Sequence, residues 1–166
     1  VSGRVEKQFA KLTSFSEDML ARGRRPRSEW LQRASGTVNP EESLALGLSP
    51  GAPVYRMYKI RFADPPPMAL EYWKVPGFGL PSADVVGDSL YAALQAQGCR
   101  PTRALQGLRA VLVDEERAKL LGVEPGAAAL YIERRGFLED GRVIEATESW
   151  YRGDAYDFVA ELNAGA

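Results

Sequence analysis

At 166 residues, with a formal net charge of −1, 45% hydrophobic and 26% charged residues, the chain has the size and balance of one globular domain with its own core. A single cysteine, Cys99, excludes an intramolecular disulfide framework and an all-cysteine metal site, and the lack of histidine excludes imidazole–zinc catalysis, serine–histidine triads and histidine general bases. Near-neutral charge gives no global field for nucleic acid or membrane, no apolar run approaches the ~20 residues of a membrane span, and no signal peptide opens the chain, so a cytoplasmic location without metal or cofactor is expected.

Residues 1–11 are polar and mixed, Val1 is not a natural initiator, and this stretch reads as a linker from something upstream. Ser14 followed three residues later by Glu17 is a capping-box pattern, and Gly23 supplies a stop, so a short helix is expected between them. Residues 27–38 read as an extended strand holding Trp30. A helix over 40–46, begun by Asn39 and ended by Gly47, precedes the Ser49-Pro50-Gly51 turn. Residues 54–62 alternate as a strand, Asp64 and three prolines force a stiff turn, and 68–75 return as the next strand. The clearest helix lies within 88–98, where Asp88 suits the N-cap and Gly98 the end. Residues 101–113 are extended. A helix over 115–121, the Glu124-Pro125-Gly126 turn, a strand over 128–137, a Glu139-Asp140-Gly141 hairpin signal and a strand over 142–151 follow. Residues 156–163 read as a short closing helix or strand. The sum is an α+β domain of about six mostly antiparallel strands with short helices on one side, and no helix-turn-helix pattern.

One unit occurs twice. At a fixed offset of 75, Val38, Glu41, Leu46, Gly47, Pro50, Gly51, Ala52 and Phe62 recur as Val113, Glu116, Leu121, Gly122, Pro125, Gly126, Ala127 and Phe137. After a two-residue length change, Glu71-x-Trp73 recurs as Glu148-x-Trp150. Shared turn chemistry would explain single matches; their common order favours a duplicated helix–turn–strand–turn–strand unit. Duplication would set Glu71 and Glu148 at equivalent inner-strand positions about a pseudo-two-fold axis. The copies diverge at their cations, because Lys59 corresponds to Arg134 but Arg61 to Gly136. The second copy is left with a gap.

Lys59 and Arg61 share one strand face with Tyr55 and Met57. Two cations beside apolar neighbours suit an anion; they equally suit an outer face, with stems along the sheet and heads in water. Ser14-Phe15-Ser16 at a helix start suits a phosphate or carboxylate, or plain capping. Glu71 and Glu148 lie in apolar strands, where a carboxylate is costly unless bonded or paired. They read as ligands for hydroxyls, as partners of Lys59 and Arg61, as an acid–base pair, or as a polar outer face. Ser89 and Tyr91 offer hydroxyls to a pocket or serve cap and core, and the segment from Tyr151 to Asp154 reads as pocket wall or internal ion pair.

The serine-bearing segment 13–19, the LGLSPGAPV run of 46–54, the strand over 56–63, Glu71 with Val75-Pro76, Ser89-Leu90-Tyr91, and ESWYRGDAYDF of 148–158 come in an order that resembles UTRA domains. These are the effector-binding domains of HutC-type regulators in the GntR family of bacterial transcription factors, and the resemblance spans residues 12–162. It implies a chorismate-lyase-like antiparallel sheet with an internal pseudo-repeat. In sugar-phosphate-responsive members a serine-bearing loop and a basic pair two residues apart hold the anion; here these are Ser14, Phe15 and Ser16, and Lys59 with Arg61. Glu71, Glu148, Ser89 and Tyr91, with Tyr151 as wall, would hold the rest of the ligand. The family's basic pair is often two arginines, and Lys59 offers a point charge where arginine gives a bidentate fork. The anion is thus a sugar phosphate, a carboxylate or another acid. The resemblance further implies residues 1–11 as the linker from a winged helix-turn-helix absent from this chain, and 12–166 as a ligand-binding domain. Expected partners are a second copy in a homodimer, an anionic effector, and operator DNA only through that helix-turn-helix, with no membrane. A repressor without catalytic residues is the expectation; the alternative is a lyase on the similar fold using the same arginine and glutamate.

Overall fold

The two copies are the two halves of one sheet. In a computed structural model, residues 5–8, 12, 15–62 and 66–165 are described, without the side chains of 5–8, 15 and 16. The first half comprises β2 (Arg27–Thr37), α2 (Pro40–Leu46), β3 (Pro53–Phe62) and β4 (Pro67–Pro76); the second comprises β5 (Arg103–Leu112), α4 (Glu115–Leu121), β6 (Ala128–Phe137) and β7 (Val143–Arg152). Every ladder of this six-stranded sheet is antiparallel, in the order β2-β3-β4-β7-β6-β5, so the halves meet at β4 and β7. Before them stand β1 (Val5–Gln8), inside the segment read as a linker, and α1 (Phe15–Ala21). The closing segment is a strand, β8 (Tyr156–Val159), and it pairs in parallel with β1. The predicted Ser14 start of α1 and the turn residues Asp64 and Pro65 lie outside the described residues.

Local chemistry explains the matching helices. Asn39 accepts from the Glu42 amide at 2.7 Å while Glu42 accepts from the Asn39 amide at 2.9 Å, and Gly47 ends α2 at φ 63°. In α4 the same positions are Asp114, accepting from the Arg117 amide at 2.8 Å, and Gly122 at φ 66°. Both glycines sit in the left-handed region that a side chain disfavours.

The helices do not share one side, as expected from sequence. α2 and α4 pack over β7 and β4 on one face, where Ile60, Leu70, Leu121 and Trp150 form a core. The opposite face is covered by α3 (Leu90–Ala96), whose Leu90, Tyr91 and Leu94 pack on Met57, Trp73 and Val75. Alternation along two inner strands makes both faces buried, so each needs a cover. The N-cap of α3 is Ser89 rather than Asp88: the Ser89 hydroxyl accepts from the Ala92 amide at 3.2 Å.

Register corrects the expected symmetry of the glutamates. Lys59 stands opposite Glu71 in the first half, and Arg134 opposite Thr147 in the second. The counterpart of Glu71 is therefore Thr147, and that of Glu148 is Tyr72. At the junction Glu71 faces Ser149 and Tyr72 faces Glu148. Because neighbouring residues of a strand point to opposite faces, Glu71 lies under α3 and Glu148 on the α2–α4 side.

Candidate effector site

β3 delivers Lys59 and Arg61 to the α3 side, and neither head reaches water: their exposures are 0% and 1%. The solvated outer face weighed from sequence is excluded. Arg61 Nη1 donates to the Asp88 backbone carbonyl and to Ser28 Oγ, both at 2.8 Å, and Lys59 Nζ donates to the same carbonyl at 3.4 Å. The Lys59 amine also lies 4.0 Å from the Trp73 ring centroid and 4.8 Å from that of Trp30. Glu71 completes this half, with Oε2 at 3.7 Å from Arg61 Nε and Oε1 accepting from the Tyr151 hydroxyl at 3.4 Å.

Burial and the neighbouring guanidinium act on Lys59 in the same direction. Loss of water disfavours the ammonium, Arg61 repels it, and Glu71 and Asp88 only partly oppose them, so its pKa is pushed down to about 6. Burial likewise raises the Tyr151 phenol well above its ordinary range, reinforced by the Glu71 carboxylate.

The second half supplies residues that sequence reading missed. Tyr91 donates to Glu145 Oε1 at 2.5 Å and accepts from Arg134 Nη1 at 2.9 Å, while Arg134 Nε donates to Gln106 at 2.8 Å. Glu145 is 1% exposed, and burial raises its pKa against the pull of Arg134. The signal for Glu145 was the gap at Gly136. In the first half Arg61 stands opposite Ala69; in the second Gly136 stands opposite Glu145, large and small exchanged across the ladder. A Cβ at Gly136 would lie 2.8 Å from Glu145 Cγ. The gap is the room Glu145 occupies.

Glu71, Trp73, Tyr91, Arg134, Glu145 and Tyr151 converge on a cavity of about 30 Å³. Of the residues singled out from sequence, Glu71, Tyr91 and Tyr151 line this cavity, and Lys59 and Arg61 stand beside it, joined to it through Glu71. Ser89 is spent on the α3 cap. Ser14 lies outside the described residues, as do the side chains of Phe15 and Ser16. Glu148 is elsewhere: on the other face it accepts from Tyr131 at 2.8 Å, approaches Lys74 at 3.5 Å and lines a groove of about 740 Å³ beside α2. Among the described residues no group of three or more His, Cys, Asp or Glu could hold a metal, and no helix is long and apolar enough to cross a membrane.

A covered polar chamber of Arg134, two carboxylates and two phenols, beside the buried Lys59–Arg61 pair in a duplicated antiparallel sheet, defines a small-molecule-binding domain. The chain belongs to the UTRA domain family, which its residues 21–157 match. It is 31% identical over 159 residues to the HTH-type transcriptional repressor NagR of Bacillus subtilis, covering 94% of this chain and 65% of that protein. With the transcriptional repressor PhnF of Mycolicibacterium smegmatis it shares 31% identity over 132 residues, 76% of this chain and 54% of that protein. The chain thus spans about two thirds or less of these relatives. The crystal structure of the effector domain of PhnF from Mycobacterium smegmatis superposes with a TM-score of 0.89 at 26% identity, covering 96% of this chain and 100% of that one. The ligand-binding domain of a GntR-family regulator from Bordetella bronchiseptica gives 0.77 at 26% identity over 84% of this chain and 91% of that one. The fold is the chorismate-lyase-like one expected, and the domain is regulatory, not the lyase weighed as the alternative.

Proposed function

We propose that this domain senses an anionic metabolite, a sugar phosphate or carboxylate, for a cytoplasmic GntR-family repressor of the HutC type. The supporting observation is the buried pair Lys59 and Arg61, whose donors converge on one backbone oxygen, that of Asp88. A carbonyl dipole is a weak acceptor for a guanidinium and an amine together, and an anion would replace it with gain. Glu71, Tyr91, Glu145 and Tyr151 offer acceptors and donors to hydroxyls or amines of the same ligand. The family resemblance would add Ser14, Phe15 and Ser16 to the residues that hold the anion.

A chamber of about 30 Å³ is far below the ~300 Å³ or more that ligand clefts provide. Binding therefore moves the segment ending at Asp88, whose Leu80, Ala83 and Val86 pack against Met57 and Trp73. The β1–β8 ribbon stands next to this site, since Tyr151 stacks on Tyr156 of β8 at 4.4 Å between centroids. Residues 1–11 would lead from a winged helix-turn-helix, and in a homodimer the ribbon would pass the change to the DNA-binding heads. The ligand shifts the DNA-bound population only by its differential affinity for the two states.

Thermal-shift and calorimetric titration with sugar phosphates, sugar acids and amino acids tests the reading. At least one anion should raise Tm, Arg61→Ala should abolish the effect, and Glu148→Gln on the far face should leave it intact. Silence across the panel, or Arg61→Ala binding as wild type does, overturns the site.

A further inference from the structure

Lys59 differs from its neighbour in one respect that matters for an anion site: it can lose its proton. A guanidinium is a permanent cation, whereas a lysine amine switches when its surroundings demand it. Those surroundings are defined on every side. On β3, Arg61 lies two residues along the same face; on β2, Trp30 stands opposite Lys59 and carries Arg33 4.8 Å from its ring centroid. On β4, Glu71 stands opposite and Trp73 presents its ring; before α3, Asp88 presents its carbonyl at 3.4 Å. Beyond Glu71, in the adjoining chamber, stand Tyr91, Arg134, Glu145 and Tyr151. Lys59 thus has the Glu71 carboxylate across the ladder and the Asp88 carboxylate nearby, and Arg61 reaches that of Glu71 at 3.7 Å.

Resting on the function proposed above, we propose that an anion entering at Lys59 and Arg61 is bound together with a proton, which Lys59 takes up as the anion arrives. The unliganded amine, held near a pKa of about 6, is mostly neutral at pH 7.5. An anion within about 4–6 Å favours the charged form and lifts the amine back toward the ordinary lysine range. Between the unliganded and liganded values each binding event absorbs one proton, and affinity falls tenfold per pH unit. The regulator would then read its metabolite and the proton concentration together, gripping the effector harder as the surroundings acidify. With no histidine in the chain, no imidazole titrates in this window.

The probe is inorganic sulfate, a dianion throughout pH 5.5–8.5, followed by the fluorescence of Trp30 and Trp73 beside Lys59. Wild type should bind on the order of 50-fold more weakly at pH 8 than at pH 6, and a pH-stat at pH 7.5 should record close to one proton absorbed per sulfate. Lys59→Arg, a permanent cation, should bind with a flat profile and absorb no proton. A flat wild-type profile with no proton absorbed overturns the coupling and leaves the anion site standing. A slope that persists in Lys59→Arg moves the proton to another group, Glu145 first, and overturns the assignment. The proton count on wild type needs no variant, so a misfolded Lys59→Arg does not protect the idea. If neither protein binds sulfate or any sugar phosphate at any pH, the anion site itself fails, and the coupling with it.

Discussion

The Tyr91 hydroxyl stands between Glu145 and Arg134, giving its proton to the carboxylate at 2.5 Å and taking a bond from the guanidinium at 2.9 Å. It joins an acid and a base that are also bonded elsewhere, Arg134 donating to Gln106 at 2.8 Å and Glu145 accepting from Thr147 at 3.4 Å. Tyr91→Phe keeps the ring and its packing and removes that bridge. Leaving buried polar groups short of partners costs about 2–3 kcal/mol. The urea midpoint should fall by that free energy divided by the m-value, with the m-value itself unchanged. An unaltered midpoint would mean that the two groups re-pair directly.

Much of the scaffold was legible in residues whose chemistry is local. Asn39, Gly47, Asp114 and Gly122 mark helix ends because capping needs only near neighbours, and β3 and β6 announce themselves by alternation. What strand patterns do not carry is register. Glu71 and Glu148 match by motif, yet the ladders set Glu71 opposite Lys59 and Thr147 opposite Arg134, and the true counterpart of Glu71 is Thr147. A one-residue slip exchanges faces, so the motif chose the wrong glutamate and hid Glu145. Alternation likewise grouped Lys59 with Arg61 without saying which face α3 would cover. The exchange of Arg61 for Gly136 was visible, and what fills the space required the partner strand.

That exchange makes Gly136 a test of packing. An added methyl would meet Glu145 Cγ at 2.8 Å and Pro101 Cβ at 3.1 Å, with Tyr91 behind. Gly136→Ala should cost about 1–3 kcal/mol through overpacking. Gly107 on the edge strand β5 has nothing within 4 Å of an added Cβ. Gly107→Ala should therefore be neutral or slightly stabilising in the same thermal melts. Equal losses at both sites would rule out the clash as the cause.

Glu42 ties α2 to the sheet. It is 1% exposed and takes two bonds from Arg56, from Nε at 2.7 Å and Nη2 at 2.6 Å. The Arg56 bonds, outweighing burial, hold its pKa below the ordinary carboxylate range. Such a group stabilises the fold fully above its unfolded pKa, and the contribution is lost as pH falls through the depressed folded value. Arg56→Ala should cost about 3 kcal/mol at pH 7, because it strands a buried carboxylate. The deficit should shrink as the pH drops below about 4, where the wild-type pair is itself being protonated. A deficit constant from pH 7 to pH 3 would assign the loss to the Arg56 stem rather than to its charge.

Lys59 carries a pH signature of the same sign, at higher pH and without any ligand. Its folded pKa, about 6, lies below the ordinary lysine value, so above pH 6 the unfolded chain holds a proton that the folded chain has released. Stability therefore rises with pH, by at most about 1.4 kcal/mol per unit from this residue, until the buried tyrosines begin to act. Tyr91, Tyr151 and Tyr156 have phenols raised chiefly by burial, and they oppose folding once unfolded phenols ionise near pH 10. The usable window is pH 6 to 9. Lys59→Met preserves the stem between the two indoles and removes the proton, so its stability should exceed that of wild type most at pH 6 and converge on it toward pH 9. Urea titrations at four pH values across that window measure the slope directly. Parallel profiles for the two proteins would show that the Lys59 amine stays charged in its cage, held by Glu71 and the ring faces of Trp30 and Trp73.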